Sequence, residues 1–135
     1  VKGHDSHNIK NSWQGQMRYG HLDIPSLRYS VDVIRKHNLL RNPKLFVTHE
    51  DVVSSGRYVS AFNGERDISP VISEALSGVN ISDSSGGKKI GSALEKFLVP
   101  DYKESDSFVN TLESELNIKV GWVSSGETYE DKIAL

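Results

Sequence analysis

"KLFVTHEDVVSSGRYVSAF", residues 44–62, is the stretch on which the fold turns. It holds two runs rich in β-branched and aromatic residues, 44–53 and 57–62, separated by Ser54-Ser55-Gly56. Such side chains suit the pleated surface of a strand, and a serine–glycine break is turn chemistry. The spacing predicts a β-hairpin, and with it a mainly antiparallel sheet. Asn63-Gly64 is a second turn signal, leading toward a short return strand over 65–68.

Working upstream, Asp23 and Pro25 open a helix, because proline in a first turn gives up no needed N–H. Leu27, Val31 and Ile34 recur at helical spacing. Lys36 and His37 sit at its end, where cations suit the helix dipole, and Arg41-Asn42-Pro43 stops it. Residues 1–22 read as an irregular N-terminal arm anchored by Trp13, Met17 and Tyr19.

Downstream, Ser69-Pro70 starts a short helix that Gly78 ends. A further helix around 88–99 stops at Pro100. Ser105 caps another, carrying Phe108, Leu112 and Leu116 at steps of four. Residues 118–124 read as a strand with Trp122 in the core, and 128–135 as one more strand or a terminal helix. "VSSG" occurs at 53–56 and again at 123–126, which we read as shared turn chemistry rather than duplication. The expectation is one α+β domain over residues 23–135: a small, mainly antiparallel sheet of three to five strands packed with three or four helices.

Composition bounds the function. At 135 residues, with 36% hydrophobic and 25% charged residues, the chain can bury a core without staples. It has no cysteine, so disulfides and thiolate metal sites are excluded. No apolar run approaches the roughly 18 residues of a membrane helix, so a soluble chain without a membrane span is expected, in no assigned compartment. Net charge is −2 but uneven. Residues 1–67 carry ten Lys/Arg against seven Asp/Glu, and residues 68–135 six against eleven. A dedicated nucleic-acid binder has a more basic balance.

Three patterns carry chemistry. The first is Ser85-Gly86-Gly87-Lys88-Lys89. Glycines and lysines are poor first-turn residues, and they make sense there if an anion sits against the free N–H groups and both ammonium groups. The alternative starts the helix at Ser92, where Ser92-Ala93-Leu94-Glu95 is a capping box. The stretch does not match the nucleotide P-loop, which needs Ser or Thr directly after Gly-Lys. Histidine is the second pattern. His4 and His7 flank Asp5, and His49 precedes Glu50 and Asp51. Imidazoles titrate near neutrality, so His4 and His7 are candidates for general acid and base in metal-independent RNA cleavage, with Lys88 and Lys89 stabilising the phosphorane. His49 is also a candidate metal ligand. In the third pattern, Pro100-Asp101 followed by Glu130-Asp131-Lys132 has the form of a nuclease signature, in which Asp101 and Glu130 hold a metal and Lys132 orients water.

None of these patterns is specific, and the residues imply no cofactor. The first reading is a non-catalytic interaction module with a protein partner, a piece of a larger bacterial or viral assembly. The second is a small RNase-type phosphodiesterase acting as an effector, and the third a phosphate- or nucleotide-binding domain. An interaction module predicts an exposed apolar patch or strand edge.

Overall fold

The computed structural model describes residues 20–39, 41–51, 54–77, 95, 98–126 and 128–135. His4, His7 and the Ser85–Lys89 stretch lie outside them, as do Gly78, Ser92 and most of the arm. Helices and strands are mixed, as the α+β reading requires. Three helices and two three-stranded sheets are described. The helices are α1 (Ile24–Lys36), α2 (Ser69–Leu76) and α3 (Phe108–Leu116). The strands are β1 (Leu22–Asp23), β2 (Leu45–Val47), β3 (Gly56–Phe62), β4 (Pro100–Ser105), β5 (Val120–Ser124) and β6 (Lys132–Ala134). Among the described residues no helix is long and apolar enough to cross a membrane.

The predicted hairpin over residues 44–62 does not form. β2 and β3 belong to different sheets, ordered β2-β5-β6 and β1-β3-β4. Each sheet combines one parallel pair, β2 with β5 or β1 with β3, and one antiparallel pair, β5 with β6 or β3 with β4. The mainly antiparallel sheet is thus corrected to two mixed ones. The local cause is visible in the turn residues. His49 takes a left-handed conformation at φ 62°, and the Glu50 amide donates to the Ser124 carbonyl, carrying the chain along β5. The Ser54 carbonyl accepts from the Phe108 amide at 2.8 Å, so the serine turn is tied to the start of α3 instead of closing a hairpin.

Other sequence signals survive. Asp23 caps α1, its carboxylate accepting the Ser26 amide at 3.0 Å and the Ser26 hydroxyl at 2.7 Å, with Pro25 in the first turn. Helix α3 is capped by Ser107, whose hydroxyl accepts from the Asn110 amide. Ser105, the expected cap, instead bonds the Ser107 amide and the Thr111 hydroxyl. Asn63 and Gly64 form a left-handed turn at φ 52° and 81°, but the return strand shrinks to the single Phe62–Glu65 bridge. Past Pro100 the chain is strand β4, which no sequence signal announced.

One core serves both sheets. Ile24, Tyr58, Phe108, Leu112, Leu116 and Ile118 form its buried centre, with Leu27 and Val31 of α1 and Leu45 and Val47 of β2 packed against it. Helices α1 and α3 are locked end to flank. Arg28 donates to the Glu115 carbonyl at 3.0 Å and Arg35 to the Leu116 carbonyl at 3.2 Å. Both guanidiniums thereby satisfy carbonyls that the C-terminus of α3 leaves open and suit its negative dipole end. The Glu115 carboxylate is paired with Arg28 and with Arg66.

Candidate functional site

The outer face of the β2-β5-β6 sheet is the feature that packing alone does not explain. Val120 and Val123 of β5 are both buried, at 4% and 7% exposure. They are three residues apart, and strict alternation would send them to opposite faces. The register resolves the conflict: Leu45 faces Val120, Phe46 faces Trp122 and Val47 faces Val123, so β5 inserts one extra residue, Gly121. A bulge of this kind lets both valines point inward and turns Gly121 and Trp122 outward. Trp122 is therefore 47% exposed, correcting its expected place in the core, and Phe46 on the neighbouring strand is 49% exposed. Ala134 of β6 completes the row opposite Trp122 and is exposed as well. Ile133, the partner of inward-facing Val123, is exposed on the opposite face because β6 is an edge strand, and it adds nothing to this row.

The glycine at the bulge leaves room for the side chain of Lys44. A Cβ on Gly121 would stand 2.6 Å from Lys44 Cδ and 3.1 Å from Lys44 Cβ. The aliphatic stem of Lys44 thus lies on the Gly121 backbone, beside Trp122. At the other end of the sheet the polar groups pair among themselves. The Ser125 hydroxyl donates to Glu50 at 3.2 Å, and the Thr128 hydroxyl and amide donate to Asp131 at 2.6 and 2.8 Å. Those two donors, the hydroxyl first, hold the Asp131 carboxyl below its ordinary value.

The residues singled out from sequence are scattered. His49 is exposed, its Nδ1 3.0 Å from the Thr48 hydroxyl. Asp101 lies on β4 in the first sheet, where its carboxylate accepts the Gly64 amide at 2.6 Å and holds the Asn63-Gly64 turn. Glu130 is exposed in the one-turn 3₁₀ helix Tyr129–Asp131, and Lys132, which donates to the Thr128 carbonyl, opens β6 in the second sheet. The halves of the nuclease-like pattern thus stand on different sheets. Among the described residues no three His, Asp or Glu side chains gather to hold a metal ion.

A second surface cluster lies on the first sheet. His21 Nδ1 is 3.1 Å from the Arg57 carbonyl oxygen, its ring meets Tyr102 edge-on at 5.1 Å, and Arg57 sits over Tyr102 at 5.4 Å while pairing with Glu104 at 3.3 Å. Within this cluster the charge pair is Arg57 with Glu104, and both side chains are more than half exposed.

Sequence reasoning missed the Phe46–Trp122 row, although a signal was present. In Val120-Gly121-Trp122-Val123 the glycine inside a strand marks a bulge, and the valine spacing breaks period two. In comparisons with known proteins, no protein-family model, curated protein or solved structure matches the chain.

Proposed function

We propose that the protein is a non-catalytic interaction module that presents the outer face of its β2-β5-β6 sheet to a protein partner. The observation that carries this reading is the row Phe46–Trp122–Ala134. It sets two aromatic side chains on adjacent strands, each about half exposed, where the core does not need them. Aromatic residues of this kind are what protein interfaces use as anchors, since they bury much area at low entropic cost. The phosphodiesterase and anion-binding readings rest on His4, His7 and Ser85–Lys89, outside the described residues, and gain no support from the geometry.

The test is selection of an unbiased displayed-peptide library on the purified protein, followed by binding of each selected peptide to variants. Peptides are expected whose binding is lost in Phe46→Ser and Trp122→Ser but kept in Tyr102→Ser, which alters an exposed aromatic on the other sheet. Peptides indifferent to Phe46 and Trp122 would overturn the assignment of the face. Cleavage of RNA in EDTA by the purified protein would overturn the non-catalytic reading.

A further inference from the structure

We infer that the partner segment meeting this face is acidic as well as apolar, a polypeptide with carboxylates at the end that lies over the start of β2. The inference rests on the proposed role of the sheet face and names the chemistry of its occupant. Its ground is the distribution of charge around the aromatic row. From Val33 to His49 the chain carries Arg35, Lys36, Arg41 and Lys44, two histidines and no Asp or Glu. The same run exposes Val33, Ile34, Leu39 and Phe46, so positive charge and apolar surface are interleaved where α1 ends and β2 begins.

These cations are not spent on one another's neighbours equally. Arg35 is engaged with Asp32 and with the Leu116 carbonyl, a structural use. Lys44 makes no ion pair among the described residues, and its stem lies across Gly121, the residue before Trp122, so this end of the face carries an unpaired cation. Lys36 lies close enough to Asp67 to favour its ionised form, whereas Arg41, just ahead of β2 in the chain, is exposed. A carboxylate laid over this end meets complementary charge while the side chains beside it cover the aromatic rings.

The opposite end of the sheet decides between a peptide and a nucleic acid. There the chain places Glu50, Glu130 and Asp131, with Lys132 beside them, beyond the C-terminal ends of β2 and β5 and at the start of β6, so carboxylates outnumber the cation. A nucleic acid carries a phosphate at every step and would run its charge into those carboxylates. A peptide can confine its acidic residues to the Lys44 end. The bipolar face therefore favours a polypeptide and sets its direction.

Three fluorescently labelled probes test this by anisotropy. One is a short peptide with an Asp/Glu-rich half followed by Leu and Phe, the second has Lys in place of each Asp and Glu, and the third is an oligothymidylate. The acidic peptide is expected to bind, to weaken as salt rises, to lose about tenfold in affinity in Lys44→Glu, and to lose binding in Trp122→Ser. Arg41→Glu should weaken it in the same direction, and circular dichroism should confirm that both exposed-site variants stay folded. Tighter binding of the basic peptide, still dependent on Trp122, would overturn the charge inference and leave the face intact. Tighter binding of oligothymidylate, weakened by Lys44→Glu, would replace the polypeptide with a nucleic acid. Binding of the acidic peptide that ignores Trp122→Ser would overturn both the inference and the face, and binding of no probe would overturn the inference.

Discussion

Glu113 shows how single side chains tie the elements together. Its carboxylate accepts Lys119 Nζ at 2.9 Å and the Val120 amide at 2.8 Å, so one residue of α3 anchors the first residue of β5. Both contacts favour the ionised form, the lysine more than the amide, and the carboxyl titrates below its ordinary value. A carboxyl lowered in the folded state adds stability that is fully present above its unfolded value and is lost as pH falls through the folded one. Glu113→Gln is therefore expected to lower the urea midpoint at neutral pH and to flatten its decline between about pH 5 and 3. Equal decline in the two proteins would show that Glu113 does not couple folding to protons. Contacts of this sort were not legible in the sequence, because residues 113, 119 and 120 meet only once α3 has turned back onto β5. The caps were more legible: Asp23 with Pro25 makes a local signal that needs no distant partner.

Among the elements, those held by their own neighbours were predictable and those held by distant ones were not. Helix α1 appears where the spacing of Leu27 and Val31 put it, and α3 carries Phe108, Leu112 and Leu116 inward at steps of four. Strand β4 was invisible because it is an edge strand: Asp101, Tyr102, Lys103 and Glu104 are all exposed, so no apolar alternation marks it. The hairpin reading failed because strand chemistry says nothing about which strand a neighbour will choose. Strand β5 offers a direct check on the bulge. Trp122 faces out and Val123 faces in, so the larger residue should matter less to stability than the smaller one. Val123→Ala is expected to cost about 2 kcal/mol by urea unfolding, against less than about 1 kcal/mol for Trp122→Ser. The reverse order would place Trp122 in the core and remove the face on which the proposed interaction depends.

At the scale of the whole molecule, the two sheets share no hydrogen-bonded strand pair among the described residues, yet they share a core. Tyr58 reaches it from β3, Leu45 and Val47 from β2, and α1 and α3 add Ile24, Leu27, Val31, Phe108, Leu112 and Leu116. The α+β class was readable from the alternation of patterns, but the division into two sheets was not, since it depends on which distant strands pair. If α3 is what couples the sheets, weakening it must loosen both at once. Leu112, 8% exposed on α3, is the test. Leu112→Ala is expected to cost about 3 kcal/mol, from lost burial and the cavity left behind. Amide exchange at Val59 in one sheet and at Val123 in the other should then accelerate by the same factor, because both open only through the shared unfolding. Protection lost in one sheet and kept in the other would mean that each sheet opens by itself, and that the aromatic face rides on a unit that does not need the rest of the core to hold its shape.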